Sequence, residues 1–339
     1  MDQTSIETSR PVIGGRWAQQ GIVSVENGVA SWLASDGQAP HEPAVILKVP
    51  VPGNKLGHAI LAHQIQVMRG FDWNVAASVI ERPLDMAGAD DETPYIVERR
   101  LEAVDGWHPC LELLVCGAMG VHSPLFLSLL RKVLEARLAL RSIGIVVRHV
   151  TPLTLYTKTV GDTVAAIRLT DLRYACSPVD ESRWRNLVVG HVYSSAEALA
   201  GVVTYGGDDF AFALLLFCAA YGLGPFETYE RRMQQALSSM QVSAALVAVG
   251  GAGTHGTRRR ADAARRLAAL QRTAGGIDVA LKPLFRRLRL DGLADPARKM
   301  LGAWPWHRGP AFEELYRTLR MRAAAGHCRS VGAPLDLAA

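Results

Sequence analysis

Residues 190–201 read GHVYSSAEALAG, and residues 207–226 read GDDFAFALLLFCAAYGLGPF. The second stretch carries the longest apolar run of the chain, residues 210–223, broken only by small residues. A run of about 14 residues is too short to cross a bilayer and reads as a buried helix. Asp209 stands at its start, and Glu197 lies twelve residues earlier. Taken singly, each acid is a helix cap or half of a surface ion pair. Their order and spacing become informative only with the rest of the chain.

Upstream, residues 11–50 alternate apolar and polar residues between Gly, Asp and Pro, as in GIVSVENG, ASWLASDG and PAVILKVP. That pattern predicts an antiparallel meander. Residues 55–69 (KLGHAILAHQIQVMR) switch to helical spacing, and residues 75–84 and 93–101 read as returning strands around the acidic loop DMAGADDETP. From Cys110 the pattern is helical: CLELLVCGAM, then residues 123–142, which open with Ser-Pro and close before Gly144. A small β-rich lobe thus precedes a larger helical one, and the junction falls near residues 101–107.

Composition excludes several classes. Apolar residues make up 49% and charged residues 20%, as in a globular chain. The first fifteen residues hold no apolar core of a secretory signal. The five cysteines are scattered and include no CxxC pair, which predicts reduced thiols in a cytoplasmic protein and no zinc set. Residues 251–339 hold 17 Lys+Arg and 7 Asp+Glu, a balance of +10, so the first 250 residues carry about −5 of the formal +5. A basic end of this kind suits an acidic partner surface, a nucleic acid, or solvent alone. The arginines have no interleaved aromatic residues, which argues against nucleic acid. Gly251, Gly253 and Gly256 make a lone G-x-G-x-x-G, but without a surrounding βαβ unit it reads as a loop.

The order of parts resembles the protein kinase fold, in particular the bacterial serine/threonine kinases of eukaryotic-like type, over residues 15 to 320. AVILKVP resembles the V-A-I-K strand, which would make Lys48 the phosphate-holding lysine. TPYIVERRLEAVDGW resembles the strand and hinge that cradle adenine, with Glu98 opening the hinge. RLTDLRYA resembles the segment whose aspartate holds Mg²⁺, here Asp171. GHVYSSAEALAG resembles the segment ending in A-P-E, with Glu197 as its glutamate. The stretch after it resembles the central helix, with Asp209 bonding the backbone of the catalytic loop. LADPARKM resembles the late DPxxR, with Arg298 pairing with Glu197. The fold so implied is α+β and bilobal: a tail (1–14), a small antiparallel β lobe with one helix (15–101), a mainly helical lobe (102–325) and a second tail (326–339).

The departures fall on catalytic positions. The helix that should supply a glutamate for Lys48 places Gln64 there, and no Asp or Glu occurs between Glu42 and Asp72. An amide accepts a hydrogen bond but supplies no charge. The three phosphate-loop glycines fall on Ser24, Glu26 and Val29, and Glu26 would repel phosphate. In GIVVRHVTPLTLYTK the pattern H-R-D-x-K-P-x-N keeps Arg148 and Pro152. It has His149 for the base, Thr151 for the lysine and Thr154 for the second metal-binding residue. Imidazole is a competent base but brings no negative charge to orient a hydroxyl. Leu172-Arg173 replace Phe-Gly, so Asp171 reads either as a residual Mg²⁺ ligand or as half of an ion pair with Arg173. The interval between Asp209 and Arg298 is long, and the excess at about 241–275 carries Arg258, Arg259, Arg260, Arg265 and Arg266.

Phosphoryl transfer depends on positioning and charge neutralisation, and the parts that supply both are the ones replaced. The resemblance therefore implies a pseudokinase: a regulatory or scaffolding module that binds a protein with an acidic surface through those arginines. It requires no cofactor and spans no membrane. The alternative is a divergent ATP-dependent serine/threonine kinase, in which Lys48 and Asp171 hold ATP and Mg²⁺ and His149 is the base.

Overall fold

A computed structural model of the chain describes residues 12–39, 44–88, 93–104, 106–115, 119–179, 191–199, 202–231, 233–234, 281–302 and 305–331. A six-stranded antiparallel sheet in the order β1-β2-β3-β4-β6-β5 opens the fold. Its strands are β1 (Val12–Ile13), β2 (Trp17–Glu26), β3 (Val29–Asp36), β4 (Val45–Pro50), β5 (Asp85–Met86) and β6 (Ile96–Arg99). Between β4 and β5 runs helix α1 (Lys55–Arg69), capped by Asn54, whose side chain accepts a hydrogen bond from the Gly57 N–H. That cap satisfies one of the donors left open at a helix start.

Residues 75–84 do not form the strand expected of them. Asp72 caps a short helix, α2 (Trp73–Ala76), its carboxylate accepting from the Asn74 N–H at 3.0 Å. Pro83 then removes a donor that a ladder would need, and only Ile80 makes an isolated bridge, to Leu169.

The β2–β3 turn is Asn27-Gly28, both with positive φ (52° and 80°). This two-residue turn matches the twist of a hairpin and favours glycine at its second position. The Gly28 carbonyl accepts from the Val51 N–H at 2.8 Å. A Cβ on Gly57 would lie 1.8 Å from that same oxygen. Glycine is therefore needed where the hairpin tip rests on the start of α1.

After a turn at Leu101–Ala103 the chain makes β7 (Trp107–Pro109), α3 (Cys110–Val115) and α4 (Pro124–Ser142). The Ser123 hydroxyl accepts from the Phe126 N–H at 3.1 Å and Pro124 takes the first helical position. A hairpin of β8 (Leu155–Val160) and β9 (Thr163–Leu169) joins β7 in a second sheet. Then follow α5 (Ala196–Leu199), α6 (Tyr205–Tyr221), α7 (Lys282–Leu290), α8 (Ala294–Leu301) and α9 (Pro305–Val331).

Helix α6 is buried on all sides from Asp208 to Tyr221, which is why its sequence has no polar face. Phe210, Phe212 and Phe217 are each fully enclosed, and truncating one to alanine costs roughly 3–5 kcal/mol. One continuous core joins the inner face of α1 (Ile60, Leu61, Ile65, Met68) to α4, α6 and α9. A smaller cluster (Trp17, Ala34, Leu47, Val97) fills the other face of the first sheet. No described helix is long and apolar enough to cross a membrane.

Candidate functional site

Strand β4 delivers Lys48 to the inner face of the first sheet. Ile46 pairs with Glu98 across the ladder and Lys48 with Ile96, so Lys48 and Glu98 are diagonal neighbours on one face. Lys48 Nζ lies 2.7 Å from Glu98 Oε2 and 3.8 Å from Asp171 Oδ1. The first contact is an ion pair by distance rather than an aligned hydrogen bond. Lys48 and Glu98 are each 5% exposed. Glu98 thus supplies from the sheet the charge that α1 lacks.

Gln64 is buried on α1 with its amide nitrogen 3.8 Å from Met68 Sδ, and its Oε1 has no hydrogen-bond partner. The tie from α1 to the segment after Asp171 comes one residue earlier, from His63 Nε2 to the Ala175 carbonyl at 2.8 Å. That bond ties α1 to the segment although no carboxylate of α1 pairs with Lys48.

Asp171 has φ +62° and sits at the centre of a buried charge cluster. Arg173 Nε donates to its Oδ1 at 2.7 Å, and His149 Nδ1 lies 3.2 Å from its Oδ2. Burial alone would raise this carboxyl. The positive charges of Lys48 and then Arg173, together with His149, outweigh burial and hold it well below the usual carboxylate range. Arg173 is 5% exposed. Burial works against its charge, but Asp171 and Glu26 hold its pKa above the ordinary value. Its Nη1 reaches Glu26 Oε2 at 2.9 Å, and beside it the Asn27 amide donates to the Tyr174 hydroxyl. Both partners come from the β2–β3 tip, where the sequence resemblance places a phosphate loop.

His149 is partly buried, edge-on to Tyr174 (5.5 Å) and His191 (5.3 Å). Its loop is closed by threonines. The Thr154 hydroxyl donates to the His149 carbonyl at 2.7 Å and accepts from the Thr151 N–H at 2.9 Å. Thr154 is therefore committed to the loop's own backbone. Among the described residues no group of three or more His, Cys, Asp or Glu side chains is arranged to hold a metal ion.

Arg148 adopts φ +65°, and its backbone is gripped from both sides. Asp208 accepts the Val147 and Arg148 N–H groups at 2.7 and 2.8 Å. Burial pushes the Asp208 carboxyl up to about 7, against the pull of those two bonds. On the other side His191 Nε2 donates to the Arg148 carbonyl at 3.1 Å, while its Nδ1 accepts from the Tyr193 N–H at 3.1 Å. Only the neutral ring satisfies both, and burial pushes His191 down to about 3. Asp208 therefore holds the loop, and the role expected of Asp209 is corrected by one residue. One step along a helix turns a side chain by about 100°, and Asp209 points to α4. There it receives Arg137 Nη2 at 3.0 Å and Arg141 Nη2 at 2.9 Å.

A second correction concerns Glu197. Its partner is Arg308, at the start of α9, with both guanidinium nitrogens on the carboxylate. Arg308 also donates to the carbonyls of Gly206 (2.6 Å) and Gly302 (2.7 Å) and lies over the Phe210 ring at 5.1 Å. Arg298 is half-exposed, 3.6 Å from Asp295 and over the ring of Phe285. Arg258, Arg259, Arg260, Arg265 and Arg266, the arginines of the long interval, lie outside the described residues.

No family model matches this chain, and no curated protein matches it. A solved crystal structure of a kinase domain does, with a TM-score of 0.54 over 91% of this chain and 95% of that one, at 11% identity. Bilobal architecture, antiparallel small lobe and helical large lobe are therefore those of a protein kinase-like fold. At that identity the likeness speaks to the fold alone.

Proposed function

We propose that this chain is a pseudokinase: a kinase-fold module that has left phosphoryl transfer and acts by binding a protein partner, in a regulatory or scaffolding role. The observation that carries the reading is the state of Asp171. Its Oδ1 is taken by Arg173 and its Oδ2 faces His149, while Lys48 is drawn to Glu98. Mg²⁺ needs oxygen ligands with free lone pairs and near-octahedral space. A buried carboxylate already neutralised by an arginine and a lysine does not fit that demand. Thr154 is turned to its own loop, and Glu26 sets a negative charge where phosphates would lie. The residues present therefore do not fit a Mg²⁺–nucleotide complex.

The partner side of the proposal rests on charge. The basic balance of residues 251–339 suits a protein with an acidic surface. Cys110, Cys176 and Cys218 are buried and form no disulfide among the described residues; the proposal places the chain in a reducing, cytoplasmic setting.

A second reading is favoured by one observation: Lys48 and Asp171 still face each other at 3.8 Å with His149 beside them. It makes the chain a divergent kinase with His149 as base. Incubation with labelled ATP, Mg²⁺ or Mn²⁺ and mixed serine/threonine peptides separates the two. The pseudokinase reading predicts no transfer above that of an Asp171→Asn control. Transfer lost in His149→Ala would establish the kinase instead.

A further inference from the structure

The β2–β3 tip and the segment after Asp171 belong to opposite walls of the cleft, and two side-chain contacts join them. Glu26 Oε2 lies 2.9 Å from Arg173 Nη1, and the Asn27 amide donates to the Tyr174 hydroxyl. The tip is also held from below, through the Gly28 carbonyl on the Val51 N–H and its close packing on Gly57. Its position is set by backbone contacts, not only by the exposed carboxylate. Arg173 is the link inward: its Nε is on Asp171, which faces Lys48, which faces Glu98. A chain of alternating charge runs from the hairpin tip to the back of the cleft, and every member except Glu26 is buried.

We propose that Glu26 is an internal stand-in for the phosphates of a nucleotide. Its carboxylate is the anion that closes the cleft, and with Asn27 it straps the small lobe to the Asp171 segment without any ligand. In an ordinary kinase cleft, nucleotide phosphates and Mg²⁺ bridge the phosphate loop and the metal-binding aspartate. Here Arg173 replaces the cation on the aspartate, and Glu26 replaces the anion beneath the loop. The lobes then present one fixed face to a partner, whatever the nucleotide concentration. This deepens the pseudokinase reading and rests on it for the exclusion of nucleotide.

The strap has its own readout, amide hydrogen exchange on the full chain. In a Glu26→Gln/Tyr174→Phe double variant, amides of residues 22–30 and 172–176 are expected to exchange about tenfold faster or more than in wild type. Those of α6 should be unchanged, which marks local opening and not unfolding. A Glu135→Gln control removes an exposed ion pair on α4 and is expected to leave the hairpin at wild-type rates. Equal hairpin exchange in the double variant and wild type would show that the contacts strap nothing. Slower hairpin exchange in wild type on adding millimolar Mg²⁺–ATP would show that nucleotide displaces Glu26, and would overturn the proposal. Failure of the pseudokinase reading is seen separately, as phosphate transfer.

Discussion

Arg308 grips Glu197 with both guanidinium nitrogens while its own side chain is 1% exposed. The pair ties the start of α9 to α5, and two backbone carbonyls take the remaining donors. Breaking a buried pair by removing one partner leaves an uncompensated charge and costs roughly 3–5 kcal/mol. Arg308→Leu is expected to lose that much in urea unfolding, and Arg308→Lys nearly as much, because a point charge cannot satisfy a forked site. Arg298→Ala, at a half-exposed pair, is expected to stay within about 0.5 kcal/mol of wild type.

Lys48 gives a sharper contrast. Were it only a phosphate ligand, its loss would cost little stability. Here it balances two buried carboxylates, Glu98 and Asp171. Lys48→Met is expected to destabilise by roughly 3–5 kcal/mol. Adding Glu98→Gln to it should recover about 1 kcal/mol, and the double-mutant cycle, which also counts the cost of Glu98→Gln alone, should give a coupling of about 1–3 kcal/mol. Additive effects would mean that the two side chains do not interact.

The two residues that grip Arg148 have opposite pH signs. His191 has a folded pKa of about 3, below its ordinary 6.5. Its contribution is therefore present at neutral pH and lost as pH falls from about 6.5 toward 3. Asp208, raised to about 7 from 3.8, favours folding in its protonated form. Its contribution is present at low pH and lost as pH rises from about 4 to 7. Removing the histidine unmasks the acid. His191→Gln is expected to fall behind wild type by about 1 kcal/mol for each pH unit gained between 4 and 6. Urea midpoints at three pH values check this. A constant difference between the two proteins would contradict the neutral buried histidine.

These residues also show how much the sequence could tell. Helix α4 was legible because apolar period and N-cap agree, α1 from its apolar period alone, and the three long strands because their alternation is bounded by turns. Gln64, His149 and Thr154 were placed by order along the chain, and the loss of charge at those positions was readable without coordinates. The choice between Asp208 and Asp209 was not, since adjacent acids differ only in helix phase, which is set by packing. Arg308 as the partner of Glu197 was not readable, because the pairing depends on how the start of α9 packs against α5 in the folded chain. Glu98 as the partner of Lys48 required the register between β4 and β6, which one strand's sequence does not contain. His63 and the Asn27–Tyr174 contact depend on segments that meet only in the folded chain.

The proposed closure of this cleft on its own charges leaves no place for a Mg²⁺–nucleotide complex. Thermal unfolding of the wild-type chain with and without Mg²⁺–ATP decides whether that holds. A ligand at about 100 times its dissociation constant adds roughly 2.7 kcal/mol to the folded state, which raises the midpoint by a few degrees. No shift is expected at millimolar Mg²⁺–ATP. A shift of that size, lost in Asp171→Asn, would contradict it.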